Sequence, residues 1–148
     1  MKKAVGYVRT STKRQKQSPF AQRSEIEDWC KKHNVCLVGI FEDIGISGAK
    51  PIEKRPGLRD ALNVIQNHKA DYLVVYDMSR LARDARLGSK IRYILAISQA
   101  EPIYILDDYT DDGLKFQKQI LACVQEEVRK LVSNPEELKK FLGTNYDD

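Results

Sequence analysis

Short apolar runs alternate with longer amphipathic stretches along this chain. A short apolar run bounded by polar residues predicts a buried strand, and apolar residues at helical spacing predict a helix packed against the strands. The predicted strands are residues 4–8, 35–41, 72–76 and 103–106. The predicted helices are about residues 18–33, 58–65 and 83–98, with a long helix from about residue 111 that breaks near residues 133–135.

This alternation predicts an α/β fold with three layers. Near-continuous apolar strands separated by helices are typical of a mainly parallel sheet with helices on both faces. We expect four to five strands in one α/β catalytic domain over residues 1–110, followed by a long C-terminal helix within residues 111–148. No DNA-binding domain is found in that second segment.

The start of the first predicted helix and the segment after the second predicted strand each have a recognisable local sequence pattern. Ser18 is the expected N-cap of the first helix, with Pro19 in its first turn. The buried stripe of that helix is expected to consist of Phe20, Ile26, Trp29 and Cys30. Residues 42–56 form a long polar stretch without apolar periodicity, which indicates a functional loop rather than a simple connector.

Composition narrows the class of protein. A chain of 148 residues with 42% apolar content buries one good core. Cys30, Cys36 and Cys123 form no CxxC pair and no metal-ligand spacing, and their odd number indicates reduced thiols. No apolar stretch approaches the length that crosses a membrane. We therefore expect a soluble cytoplasmic protein that contacts no membrane.

Positive charge is concentrated towards the start of the chain. The first 24 residues contain seven Lys or Arg and no Asp or Glu. Residues 1–100 contain 19 basic and 10 acidic side chains, whereas residues 101–148 contain 6 and 11. This distribution predicts a front that faces a polyanion and an acidic tail.

Arg9 and Ser11 follow directly on the first predicted strand. Open α/β sheets bind their ligands at the carboxyl ends of the strands. A serine hydroxyl in such a basic region is suited to attack an anion, and phosphate is the anion we expect. The alternative is that Ser11 only caps a helix by accepting a backbone N–H.

Arg80 and Arg83 follow the third predicted strand. If a helix starts there, their spacing puts both guanidinium groups on one face, where they can grip the oxygens of a phosphate. Arg86 and Lys90 continue the positive run. The alternative is that these arginines form an ordinary solvated surface.

The parallel topology brings these groups together. The first and third strands end at the same edge of the sheet, so Ser11 should lie among the three arginines. A Ser-His-Asp relay has no support, because His33 and His68 lie at predicted helix ends. The arginines would therefore have to lower the pKa of the serine hydroxyl and neutralise the charge that develops on phosphorus.

Several motifs in order resemble the catalytic domain of serine site-specific recombinases, the resolvase/invertase family. The pattern Y-x-R-x-S-x-x-x-Q stands here as Tyr7, Arg9, Ser11 and Gln15, followed by Ser47-Gly48, Arg55-Pro56-Gly57-Leu58 and Arg80-Leu81-Ala82-Arg83-Asp84. The resemblance covers roughly residues 4–130.

The resemblance implies a reaction and a partner. Ser11 would attack a phosphodiester of double-stranded DNA and form a 5′-phosphoserine link, while Arg9, Arg80 and Arg83 hold the phosphate. It implies no metal or nucleotide cofactor. The supporting active-site residues would be Gln15, Gln22, Arg55 and Ser79, and the DNA-binding residues would include Lys13, Arg14, Arg86 and Lys90.

The chain departs from the family pattern in four places. Ser79 stands where the family often has Asp, and Asp77 lies two residues earlier. Glu126-Glu127-Val128-Arg129 gives no clear match to a glutamate of the family's long helix, and two extra residues separate Gln15 from Gln22. No DNA-reading motif follows residue 130, which indicates either an excised catalytic domain or a naturally short relative. These departures motivate the alternative of an inactive DNA-binding or assembly module with the same fold.

An apolar stripe on the predicted long helix suggests self-association into a homodimer or homotetramer. The alternative is that the helix folds back on its own sheet. The stripe consists of Ile120, Leu121, Val124, Val128 and Leu131.

Overall fold

The computed structural model describes residues 1–11, 17–67 and 69–106, together with residues 119, 122–126 and 129. Four parallel strands form one sheet in these residues, namely β1 (Lys3–Thr10), β2 (Cys36–Ile44), β3 (Tyr72–Val75) and β4 (Glu101–Tyr104). The helices are α1 (Pro19–Lys32), α2 (Pro56–Gln66) and α3 (Ala85–Ile97), with short 3-10 turns at Ile52–Lys54 and Met78–Arg80. The strand order β2-β1-β3-β4 puts β1 and β3 side by side in the centre.

Helices cover both faces of the sheet, as the sequence predicts. Ala4 and Val8 of β1 pack with Ile26 of α1 on one face. Val5 and Tyr7 point the other way, into the larger core cluster formed with α2 and α3. Alternation along β1 therefore fills two cores, and the predicted three-layer, mainly parallel fold is confirmed.

The first helix begins as predicted, but its buried stripe differs. The Ser18 hydroxyl caps α1 by accepting a hydrogen bond from the Ala21 N–H at 3.1 Å. The side chain of Phe20 is 81% exposed, so its prediction as a core residue is wrong. The buried row is Gln22, Ile26 and Cys30 at spacing i, i+4, and Phe20, two residues before this row, points away from the sheet.

All four strands have bounds that differ from the predicted ones: β1 is longer by one residue at its start and two at its end, and β3 ends one residue earlier. β2 continues through Ile44, because Asp43, which is only 3% exposed, occupies an inward position rather than a polar loop. β4 begins at Glu101, two residues before its predicted start. Its start is set by Gln99, whose φ of 58° lies in the left-handed region and ends the preceding turn.

Helix α3 begins at Ala85, not at Arg83. Asp84 is its N-cap, because the carboxylate accepts a hydrogen bond from the Leu87 N–H at 2.8 Å. An N-capping aspartate with extended backbone marks the boundary of a helix. Arg83 therefore lies before the helix rather than inside it.

The described residues 119, 122–126 and 129 are helical. Among them Val124 is 6% exposed and packs in the larger core cluster. The predicted start of the long helix at residue 111, its break at 133–135 and the domain boundary at residue 110 lie outside the described residues. A search of the described residues finds no helix that is both long and apolar enough to cross a membrane.

Candidate active site

The end of the central strand β1 carries the first group of site residues. Arg9 lies one residue before the last of the strand, on the same face as Tyr7, and is only 1% exposed. Ser11 follows the strand and is half-buried. Because β3 pairs with β1 in parallel, the turn after β3 reaches the same edge of the sheet, as predicted.

The guanidinium of Arg9 connects three positions of the backbone. Its Nη2 donates to the Ser79 carbonyl at 2.7 Å, its Nη1 to the Ile46 carbonyl at 2.9 Å and its Nε to the Arg80 carbonyl at 3.1 Å. Burial, with a smaller contribution from Arg55, lowers the pKa of Arg9 to about 10. The side chain therefore remains charged at neutral pH and draws the loop after β2 and the turn after β3 onto the end of β1.

Gly48 packs directly against this guanidinium. A Cβ atom added at Gly48 would lie 3.0 Å from Nη2 of Arg9 and 3.2 Å from the Ser79 carbonyl. Such contacts are tighter than ordinary van der Waals packing. The absence of a side chain at Gly48 thus allows the loop to approach Arg9.

Arg55 lies in a second, fully buried layer beneath Arg9 and Arg80. Its exposed fraction is 0%. Its Nη2 donates to the Arg80 carbonyl at 2.6 Å and to the Tyr7 hydroxyl at 3.1 Å, and its Nη1 donates to the Leu81 carbonyl. In this arrangement Arg55 contacts the backbone of the turn that carries Arg80, and it does not reach the surface.

Tyr7 and Asp43 complete the buried layer. The Tyr7 hydroxyl donates to Oδ2 of Asp43 at 2.7 Å, and the same carboxylate accepts the N–H groups of Gly57 and Leu58 at the start of α2. Burial raises the pKa of Tyr7 well above its usual range, and the Asp43 hydrogen bond adds to this shift, while the charge of Arg55 opposes it. The hydroxyl thus stays protonated and links Asp43 to Arg55.

Arg80 and Arg83 do not share a helix face, so that prediction is wrong. Arg80 ends the 3-10 turn Met78–Arg80 and is 6% exposed, whereas Arg83 precedes the N-cap of α3 and is exposed. Nη1 of Arg80 donates to the Arg9 carbonyl at 3.3 Å, and its guanidinium lies 6.0 Å from the centre of the Tyr76 ring. A 3-10 turn therefore presents Arg80, and Arg83 lies in the segment between that turn and α3.

The turn also contains a carboxylate that sequence reasoning left without a role. The Ser79 hydroxyl donates to Oδ1 of Asp77 at 2.5 Å, and this oxygen lies 3.5 Å from Nε of Arg80. Ser79 itself is exposed. The signal that could have found Asp77 is its spacing, since a polar residue directly after a buried strand lies at the binding edge of the sheet.

The remaining predicted site residues divide into three groups. Gln22 is fully buried, and its Nε2 donates to the Arg9 carbonyl at 3.1 Å. Arg86 is exposed and Lys90 half-buried on α3, outside the arginine cluster. Lys13, Arg14, Gln15, Ile120, Leu121, Val128 and Leu131 lie outside the residues whose side chains the structure describes.

Comparison with solved structures finds similar catalytic domains. The N-terminal catalytic domain of TP901-1 integrase is 25% identical, with a TM-score of 0.68 over 88% of this chain and 98% of that one. A resolvase family site-specific recombinase from Streptococcus pneumoniae is 23% identical, with a TM-score of 0.64 over 93% and 96%. The C-terminal catalytic domain of ISC1926 TnpA, an IS607-like serine recombinase, is 16% identical, with a TM-score of 0.63 over 98% and 91%.

The sequence matches one protein family over most of its length. No curated protein matches the chain. The family described as Resolvase, N terminal domain, matches residues 4–137, which include both strand ends and every arginine of the cluster. The chain belongs to the resolvase family.

Proposed function

We propose that this domain performs site-specific DNA recombination, with Ser11 as the nucleophile that cleaves and rejoins the DNA backbone. The observation that carries the proposal is the convergence of Arg9 and Arg80, both nearly fully buried, at the end of the strand that Ser11 follows. Fixed cations beside a hydroxyl can stabilise the negative charge of a phosphoryl transfer without reorganising during the reaction.

The reaction is a transesterification. The Ser11 oxygen bonds to the phosphorus and loses its proton, the bond from phosphorus to the 3′ oxygen breaks, and that oxygen takes up a proton. The 5′-phosphoserine conserves the energy of the phosphodiester, so that the reverse reaction rejoins strands without a cofactor. In the proposed reaction Arg80 and Arg83, the latter exposed, would contact the phosphate, while Arg9 and Arg55 hold the turn that carries Arg80.

Covalent capture tests the nucleophile. A library of randomised DNA duplexes is nicked so that a cleaved short strand diffuses away and rejoining is blocked. We expect the wild-type protein to accumulate a covalent complex whose adduct maps to Ser11 by mass spectrometry. Ser11→Ala should abolish the complex without lowering the melting temperature, since the side chain is half-buried and small.

The matched control is Ser24→Ala, a serine of α1 that is exposed; it should form the adduct normally. EDTA should have no effect on the yield, because arginines take the role of metal ions in the proposed reaction. An adduct that maps to Ser24 or Ser47 would overturn the assignment. Binding of DNA without any adduct would favour the inactive module.

Binding and assembly extend the proposal. The domain would act on double-stranded DNA in the cytoplasm, with Arg86 and Lys90 contacting phosphates beyond the scissile one. Cleavage of both strands needs at least two copies of Ser11, so a homodimer or homotetramer is proposed, with the segment 111–148 as the oligomerisation element. Val124 packs in the core of its own chain, so an interface would have to use the neighbouring residues of the predicted stripe.

A further inference from the structure

Asp77 lies directly before the 3-10 turn Met78–Arg80, and its carboxylate does not make the hydrogen bond that an aspartate at this position usually makes. Asp77 is the N-cap of this turn, yet its side chain accepts no backbone N–H there. Aspartate at such a position normally satisfies an N–H group of the turn. Here Oδ1 of Asp77 instead accepts a hydrogen bond from the Ser79 hydroxyl and lies 3.5 Å from Nε of Arg80. The carboxylate thus serves two side chains of the candidate site.

The backbone of Ser79 and Arg80, the two partners of Asp77, is also fixed by hydrogen bonds. The Ser79 carbonyl accepts a hydrogen bond from Arg9 at 2.7 Å, and the Arg80 carbonyl accepts from Arg9 and Arg55. The backbone of the turn is therefore fixed by buried arginines. On the side chains, Nη1 of Arg80 donates to the Arg9 carbonyl, while Asp77 contacts the guanidinium at Nε and also accepts a hydrogen bond from the Ser79 hydroxyl.

The ion pair between Asp77 and Arg80 is shielded from water. The side chain of Arg80 is 7% exposed and that of Asp77 is 16% exposed. Charges that are shielded in this way interact more strongly than an exposed pair. Arg55, Arg80 and Arg83 each repel the charge of Arg9, and the carboxylate of Asp77 brings negative charge to this group through its contact with Arg80.

We propose that Asp77 is a positioning residue for DNA cleavage, which acts through Ser79 and Arg80 and does not itself contact the DNA. Its charge orients the Arg80 guanidinium towards the phosphate, and its hydrogen bond fixes the Ser79 hydroxyl at the exposed surface of the turn. The effect on cleavage rests on the proposed function, whereas the effect on Arg80 does not.

Four variants of the full chain separate the effect of the Asp77 charge from the effect of its side-chain shape. Asp77→Asn keeps the shape and a hydrogen-bond acceptor for Ser79 but removes the charge, and Ser79→Ala removes the hydroxyl. The double variant Asp77→Asn with Ser79→Asp returns a carboxylate to the same turn. Asp60→Asn, at an exposed position of α2, is the matched control.

Two measurements are made on each variant. The rate of adduct formation uses the duplex captured by the wild-type protein, and we expect a loss on the order of 10²-fold for Asp77→Asn, as for loss of an oriented charged group. The double variant should recover to within about tenfold of wild type, and Asp60→Asn should be unchanged. The nitrogen-15 NMR signal of Arg80 Nε–H, assigned with Arg80→Lys, should move in Asp77→Asn and stay in place in Ser79→Ala and Asp60→Asn.

The outcomes are distinguishable. An Arg80 signal that stays in place in Asp77→Asn overturns the inference, whether or not the protein cleaves DNA. A moved signal with wild-type cleavage overturns the role in cleavage alone, and so does a failure of the double variant to recover. Absence of an adduct in the wild type overturns the proposed function and leaves the NMR result to decide how Arg80 is positioned.

Discussion

At the scale of single residues, a protonated tyrosine makes a buried cation and a buried carboxylate compatible. The Tyr7 hydroxyl donates to Asp43 and accepts from both Nε and Nη2 of Arg55. A buried charge is strongly destabilising unless hydrogen bonds compensate for lost solvation. The Tyr7 hydroxyl thus links the Asp43 carboxylate and the Arg55 guanidinium in one chain of hydrogen bonds in the core. Removal of this hydroxyl should leave both charged groups with fewer hydrogen bonds.

Tyr7→Phe should change how stability depends on alkaline pH. An unfolded tyrosine ionises near pH 10, whereas the folded state holds the Tyr7 proton to higher pH. Above about pH 10 the unfolded state therefore releases this proton first, and stability falls with rising pH by up to about 1.4 kcal/mol per unit. Urea unfolding at about pH 9 and about pH 11 measures the difference between wild type and variant.

We expect Tyr7→Phe to be less stable than wild type by about 1–3 kcal/mol at neutral pH, since Asp43 and Arg55 lose a partner. The gap should narrow above about pH 10. Tyr72→Phe is the control, because that tyrosine lies in β3, next to β1 in the sheet, but outside the buried layer. A gap of constant size from about pH 9 to about pH 11 would contradict the ionisation argument.

At the scale of elements, the strands were easier to predict than the turns between them. The short apolar runs and their parallel order were enough to place Arg9 and Arg80 at one edge. The start of α3 was missed because Arg80 and Arg83 have helical spacing, whereas Asp84 caps the helix only at the next residue. The buried Asp43 was missed because its partners, a tyrosine and two amides of α2, are distant in sequence.

Gly57→Ala should disrupt the junction between α2 and β2. An added Cβ would lie 2.5 Å from the Glu42 carbonyl oxygen and 2.7 Å from its carbon. Both atoms belong to the backbone of a strand, so relief requires β2 and α2 to move apart. We expect a loss of roughly 1–3 kcal/mol of stability, measured by urea unfolding, and partial loss of the Asp43 hydrogen bond to the Gly57 N–H.

Gly39→Ala is a matched control within β2. Its added Cβ would meet no atom closer than the Phe41 ring at 4.0 Å, which is ordinary contact. Its stability should stay within about 0.5 kcal/mol of wild type. Equal effects of the two substitutions would show that the close approach at Gly57 does not limit the packing of α2.

At the scale of the whole molecule, the charge distribution and the sheet topology indicate the same location for the candidate site. Arg9, within the acid-free stretch at the start of the chain, and Arg80, after β3, meet at the carboxyl edge of the sheet. Sequence alone could predict this edge and a phosphate ligand. The sequence could not predict which arginines would be buried, because their hydrogen bonds are accepted by backbone carbonyl groups. Every residue has such a carbonyl, so the residue type does not indicate which one accepts.

DNA binding should depend steeply on salt. Binding of this domain through phosphate contacts gives dissociation constants on the order of 10⁻⁴–10⁻⁶ M. Arg86→Ala and Lys90→Ala should each reduce the slope of log K against log salt by about 1. Fluorescence anisotropy with a labelled duplex between about 50 and 200 mM salt measures this.

Lys31→Ala is the control for this measurement. Lys31 is exposed in the last turn of α1, which ends near the start of β2 and therefore at the opposite edge of the sheet. The slope for this variant should equal that of wild type. If all three substitutions changed the slope equally, DNA would not be confined to the carboxyl edge.

The carbonyl partners of Arg9 have a consequence for the way this domain can diverge. Its acceptors at Ile46, Ser79 and Arg80 are main-chain atoms, and no substitution at those positions deletes them. The side chain at Ile46 is thus free to change during evolution, or to be exchanged by an engineer who wishes to alter the surface presented to DNA, while the loop and the turn remain attached to β1. Ser79 is more constrained, because its hydroxyl donates to Asp77. The same freedom does not extend to Arg9, whose loss would remove side-chain hydrogen bonds to both segments at once.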